Sequence, residues 1–105
     1  MPADPVREIF LGFIRLHILY HAQSAPVYGV GLMRELRRHG YDVGPGTLYP
    51  TLHGLERAGY LHSEDGSWEG RRRRVYRTTK SGGQALREGR RKAELLLDEI
   101  GEGRR

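Results

Sequence analysis

Between Val6 and His21 the apolar residues fall on most sides of a helix. Val6, Ile9, Phe10, Phe13, Ile14, Leu16, Ile18, Leu19 and Tyr20 spread around the cylinder rather than along one stripe. Such a helix needs two partners: the core of its own domain and, in a chain with few other elements, a second subunit. Gln23-Ser24-Ala25-Pro26 reads as the break. From Val27 to His39 the pattern narrows to Tyr28, Leu32 and Leu36, which predicts a helix with one apolar face. Arg34, Arg37, Arg38 and His39 lie near its C-terminal end, where cations suit the dipole, and Gly40 supplies the stop. Gly29 and Gly31 each cost about 1 kcal/mol against alanine inside a helix, which predicts close packing or backbone approach near its start.

The stretch GPGTLYPTLHGLERAGYL, Gly44 to Leu61, keeps helical spacing although two prolines and several glycines interrupt it. At 100° per residue Leu48, Leu52 and Leu55 share one side, Gly46, Pro50, His53 and Arg57 gather opposite, and Tyr49 lies between. The leucines therefore face the core. Two starts are open. With Thr47 as N-cap, Pro50 sits in the first turn, where its missing N–H costs little. With Pro45 opening the helix, Pro50 removes an interior bond at a cost of about 3 kcal/mol. Gly59 closes the helix.

Residues 60–79 hold two extended segments around a tip running from Asp65-Gly66 through Glu69-Gly70, a hairpin with a longer loop. Val75 alternates with Arg74 and Tyr76, so the arginines project along one edge. Thr79 caps a last helix over about 80–100, in which Leu86, Ala93, Leu96, Leu97 and Ile100 form an apolar seam, and GEGRR reads as a frayed tail. The expected fold is mainly α with a small β-hairpin, in the order α-α-α-β-β-α. Residues 1–79 form a winged helix-turn-helix with its N-terminal helix, and 80–105 a C-terminal helix and tail.

Composition narrows the function. The 105 residues suit one domain of ordinary size, and no apolar run spans a bilayer. The start MPADPVREIF lacks the basic and apolar blocks of a signal peptide, so the chain is expected in the cytoplasm, with no membrane partner. With no cysteine there are no disulfides and no thiolate chemistry. The formal net charge is +5, concentrated at Arg71, Arg72, Arg73 and Arg74, at Arg77 and Lys80, and at Arg87, Arg90, Arg91 and Lys92, a footprint for a polyanion.

The second and third helices, joined by Gly40-Tyr41-Asp42-Val43-Gly44, have helix-turn-helix spacing. This accounts for the poor helix formers. Gly44, Pro45 and Gly46 keep bulk low where backbone approaches phosphate, and the exposed N–H groups favour an anion. Tyr49 can stack or bond to phosphate, His53 can reach a base edge or phosphate, and Arg57 can take backbone charge or a guanine. Two such helices across a dimer would lie one DNA turn, about 34 Å, apart and select a pseudo-palindrome in double-stranded DNA.

Tyr28-Gly29, Pro45-Gly46-Thr47-Leu48-Tyr49-Pro50, Leu52-His53, Leu55-Glu56, Gly59-Tyr60-Leu61, Gly70 with Arg71 to Arg74, Tyr76-Arg77 and Thr79 together resemble the PadR family of bacterial winged-helix transcriptional regulators. The resemblance covers nearly the whole chain and is to the short form with a single C-terminal helix. It implies a homodimeric repressor in which the third helix enters the major groove and the wing follows the backbone or minor groove. It also implies that the last helix dimerises against the partner's first helix, through Ile9, Phe10, Phe13 and the seam residues. It carries over Tyr28, Pro45, Gly46, Thr47, Tyr49, Pro50, His53 and the wing arginines as DNA contacts, and leaves room for a small effector at the dimer interface. The chain departs from the family at Val30 and Gly31, where an aromatic and an acidic residue are frequent, and at Gly44, where Ser or Thr is common.

Other constellations are weaker. His17 and His21 share a helix face, but no further ligand is visibly spaced to complete a set, so they read as core or interface residues and no metal or other cofactor is assigned. Trp68 reads as a cover over the hairpin. Tyr20, Phe10, Phe13 and Tyr28 can line an effector pocket, although such aromatics are more often core. No catalytic set or phosphate-binding loop is present, so an enzyme is not expected. The competing reading is a winged-helix module that docks on an acidic protein partner without reading DNA. It explains the charge but not the low-bulk helix start.

Overall fold

A computed structural model describes residues 4–101. The tail beyond Gly101 and the side chain of Trp68, for which a covering role was expected, lie outside the described residues. The elements are α1 (Pro5–Ser24), β1 (Val27–Tyr28), α2 (Gly29–Arg38), α3 (Pro45–Arg57), β2 (Leu61–Trp68), β3 (Arg71–Thr78) and α4 (Lys80–Ile100).

The core sits where α1, α2 and α3 meet the sheet. Ile18, Leu32, Leu36, Leu48 and Leu52 are fully buried, with Leu61 and Tyr76 closing it from the strands. Capping follows local chemistry. Asp4 accepts from the N–H groups of Val6 and Arg7 at 3.1 and 3.4 Å, with Pro5 as the first helical residue. Thr79 caps α4 as expected, accepting from Gly82 N–H at 3.0 Å. Gly40 and Gly59 adopt φ of +90° and +86°, the left-handed geometry that ends α2 and α3.

Three expectations need correction. The second helix does not begin at Val27. Val27 and Tyr28 form β1, which pairs antiparallel with β3 through Val27–Tyr76 and Tyr28–Val75, so the sheet has three strands in the order β1-β3-β2. Tyr28 therefore belongs to a strand, where its aromatic ring suits a pleated surface. The hairpin has no longer loop either. Asp65 and Gly66 lie within β2, opposite Arg74 and Arg73, and the strands run on to Trp68 and Arg71. The tip is Glu69-Gly70 alone, with φ of +52° and +77°, as a two-residue turn of the primed type demands. Gly66 has little room for a side chain, since a Cβ there would meet the Val75 methyls at 3.1 and 3.2 Å. The third correction divides the wing arginines. Strand period two places Arg71 and Arg73 on one face and Arg72 and Arg74 on the other, so they do not share one edge.

The start of α3, left open above, is Pro45, with Gly44 as an N-cap that offers no side-chain bond. Pro50 thus lies inside the helix, and Gly46 loses the N–H that its carbonyl would have received. Gly46 is exposed, so water can reach that position.

Candidate nucleic-acid interface

The angular reading of α3 holds. Leu48, Leu52 and Leu55 are buried, while Gly46, Pro50, His53 and Arg57 are all exposed on the opposite side. Pro45 joins them at the entrance, and Thr47 is half-buried beside it. Nothing lies within 4 Å of where a Cβ would stand at Gly44 or Gly46, and neither has a positive φ. Neither packing nor backbone conformation requires glycine there. No acidic residue stands in the first turn, so the positive end of the helix dipole is unopposed.

Tyr49 behaves differently. It is half-buried against the core, and its ring fills the space over Gly29, where a Cβ would come within 2.7 Å of Cζ. Gly31 is likewise covered by the Tyr28 ring, at 3.1 Å. Both glycines at the start of α2 thus permit close packing, as expected. Tyr49 locks α3 against α2.

The wing charges are sorted by their neighbours. Arg74 donates from Nε to Ser63 Oγ at 3.1 Å and from Nη1 to Asp65 Oδ1 at 3.1 Å, and Arg72 lies 3.8 Å from the same carboxylate. Arg73 places its guanidinium 4.5 Å over the Tyr28 ring, and its Nε is buried with no hydrogen-bond partner among the described residues. Tyr28 is 8% exposed, so the contact carried over for it becomes support for Arg73 rather than an open surface. Arg71 is exposed, with no ion pair among the described residues.

Two positioning features escaped the sequence. Glu56, in the last turn of α3, accepts from both the N–H and Oγ of Ser63 on β2, at 3.2 and 2.7 Å. With Arg74 on the same Ser63 oxygen, a chain of bonds ties α3 to the wing. The Ser63 hydroxyl is the main reason the Glu56 carboxyl is held below its ordinary value. Arg7 of α1 donates to Thr47 Oγ1 at 3.4 Å, bringing a further cation to the entrance of α3. Neither contact has a sequence signal, because its partner lies in another element.

The arrangement of an exposed helix entrance, a braced basic hairpin and a three-stranded sheet is matched elsewhere. Residues 18–88 match the model of the PadR-like family of transcriptional regulators. The chain belongs to that family. Across 95 residues it is 54% identical to the transcriptional regulator Rv3488 of Mycobacterium tuberculosis, covering 90% of this chain and 89% of that protein. Among solved structures, smu.1704 of Streptococcus mutans superposes with a TM-score of 0.82 at 31% identity, covering 90% of this chain and 92% of the other. A PadR family regulator from Eggerthella lenta gives 0.77 at 34% identity, covering 90% and 84%. The chain is thus a PadR transcriptional regulator with the winged-helix fold, and not an enzyme.

In this PadR chain α4 leaves the globular part partway along its length. It crosses α1 where Gly89 abuts Leu16, and Leu86 and Ala93 are half-buried there. Beyond the crossing, Leu95, Leu96, Leu97 and Ile100 are 45–69% exposed. On α1, Val6, Ile9, Phe10, Phe13 and Tyr20 are exposed as well. The two-sided pattern of the first helix is therefore real: Leu11, Ile14, Ile18, Leu19 and Ala22 serve the core and the rest form an open apolar strip. Among the described residues no helix is long and apolar enough to cross a membrane. His17 and His21 stack at 6.1 Å, and burial, reinforced by the neighbouring His39 and His21, holds the His17 imidazole below its ordinary value. Glu35 acts in the opposite sense.

Proposed function

We propose that this PadR regulator is a homodimeric repressor that reads a pseudo-palindromic operator in double-stranded DNA. The observation that carries this reading is the empty space around Gly44 and Gly46, at a helix start without acidic residues. Glycines that nothing inside the molecule needs are accounted for by a partner that needs their low bulk, and phosphate backbone at a helix N-terminus is such a partner. Pro45, Gly46, Thr47 and Pro50 form the approach surface, His53 and Arg57 reach into the major groove, and Tyr49 contributes from the side. Arg71 to Arg74 on the wing follow the flanking backbone, with Tyr28 beneath Arg73.

The division of labour puts residues 1–79 at the DNA and the last helix at the partner. Ile9, Phe10, Phe13, Leu86, Ala93, Leu96, Leu97 and Ile100 form the dimer seam, because an exposed apolar strip this continuous is costly in water. An opening of about 500 Å³ between α1 and α4, lined by Phe13, Tyr20, Leu86 and Arg90 among others, borders that seam and suits a small effector. Phe10 and Tyr28 lie outside that opening. Cytoplasmic residence follows from this role.

The test is a gel shift of a promoter fragment with random DNA as competitor, repeated across ionic strength. With about 6 to 10 phosphates engaged, raising salt from about 50 to 200 mM weakens binding by on the order of 10³ to 10⁵. Equal competition by random DNA, or an affinity unchanged across that range, rejects the reading.

A further inference from the structure

His17 and His21 lie four residues apart on α1, and Glu35 and His39 four apart on α2. Each pair shares a helix face, and the fold turns the two faces toward each other. His17 and His39 rings lie 5.1 Å apart, and His21 and His39 rings 6.1 Å apart. One donor atom from each of His21, Glu35 and His39 falls within 4.8 Å of the other two. We propose that His21, Glu35 and His39 bind a divalent transition metal ion of the Zn²⁺ class, bridging the C-terminal ends of α1 and α2, with the His17 imidazole at its edge.

Ordinary packing explains part of this cluster and leaves one atom over. Glu35 and His39 make a helix pair at 3.2 Å, Arg38 adds a loose contact to Glu35 at 3.6 Å, and the His17 ring meets Tyr41 edge-on at 5.2 Å. None of these serves His21 Nε2, which is shut from solvent and has no hydrogen-bond partner among the described residues. Burying a ring nitrogen without a partner is costly. Three imidazoles around one carboxylate are also a poor choice for a plain helix contact, since any two that become protonated repel.

The donor set selects the ion. Zn²⁺ takes imidazole nitrogen and carboxylate oxygen at about 2.0–2.2 Å in a tetrahedron, which puts ligand atoms about 3.3 Å apart. The Glu35–His39 pair already stands at 3.2 Å, so small side-chain rotations of His21 complete the set. Two imidazoles and one carboxylate suit Zn²⁺, Ni²⁺ or Co²⁺ better than the all-oxygen shells that Ca²⁺ and Mg²⁺ require. Three protein ligands leave one position for water or for His17.

The experiment uses full-length protein freed of any histidine tag and requires no DNA, so its outcome is separate from the repressor reading. Co²⁺ is titrated while its visible absorption is recorded, and Zn²⁺ affinity is measured by competition with a chromophoric chelator. One equivalent per chain is expected, with a Co²⁺ band of tetrahedral intensity. His21→Ala, Glu35→Gln and His39→Ala should each weaken Zn²⁺ by about tenfold or more, since even an outer partner of a metal ligand is worth about 10- to 100-fold. His62→Ala, on β2 and remote from the cluster, should leave it unchanged. Circular dichroism checks that each variant is folded. Should His21→Ala fail that check, Glu35→Gln and the exposed His39 variant decide. Affinity equal to the wild type in those variants, or the absence of a stoichiometric Co²⁺ band, overturns the site.

Discussion

Two helix entrances in this chain are built alike and filled differently. Both α2 and α3 open without a side-chain cap or an acidic residue in the first turn, and both carry two glycines there. At α2 the space above Gly29 and Gly31 is filled by the rings of Tyr49 and Tyr28. At α3 the space at Gly44 and Gly46 is open. On the proposed reading the same residue type answers two demands, one from inside the molecule and one from DNA outside it. Bulk added at α2 should therefore be felt as lost stability, and bulk added at α3 as lost binding.

The largest effect on folding is expected at Gly29. Gly29→Ala drives a methyl into the Tyr49 ring and should cost about 1–3 kcal/mol in urea unfolding, the range for overpacked sites. An unchanged midpoint would remove the packed half of the comparison. At Gly46 the direction reverses. Gly46→Ala should leave the fold as stable or up to about 1 kcal/mol more so, through the unfolded chain, yet lower operator affinity about tenfold, or about 1.4 kcal/mol. Loss of stability together with unchanged binding would merge the two entrances into one class.

A smaller effect sharpens the link from entrance to wing. Glu56→Gln weakens the bonds to Ser63 and should cost about 0.5–1.5 kcal/mol, toward the lower end because the group is partly solvated. The pH dependence has a definite sign. The folded Glu56 carboxyl is held below its ordinary value, so its contribution is fully present above that value and is lost as pH falls through the depressed one. Wild type should therefore lose stability more steeply than the Gln variant below about pH 4.3, the ordinary glutamate range. Parallel curves would show that the clasp is idle. Smallest of all, Arg72→Ala removes only a 3.8 Å surface pair and should change stability by about 0.5 kcal/mol or less, while weakening all DNA sequences equally in the same gel shift.

Much of the candidate site was legible because helical phase is a local property. The angle that set Leu48, Leu52 and Leu55 inward also set Gly46, Pro50, His53 and Arg57 outward, and the leucines needed no knowledge of what they would touch. The motif around Pro45 to Pro50 carried the family in the same way. The wing was less legible. Asp65-Gly66 and Glu69-Gly70 both carry turn chemistry, and strand pairing that runs on to Trp68 and Arg71 leaves the turn to the second pair. Assigning the four wing arginines to one edge failed for a local reason, since strand period two splits them between the two faces. His17 and His21 show no partners in the sequence because Glu35 and His39 approach them only when α1 and α2 pack.

What the sequence by itself determined was decided within about a turn of chain: the phases of α1 to α4, the cap at Thr79, and the stops at Gly40 and Gly59. Those features depend on side-chain direction and backbone sterics over a few residues, and they would hold in almost any fold. Only the tertiary structure decided that Val27 and Tyr28 form a strand, that α3 begins at Pro45, that Glu56 clasps Ser63, and that His21 faces Glu35 and His39. Each of these joins segments distant along the chain or depends on their packing, and no local preference encodes which partner arrives.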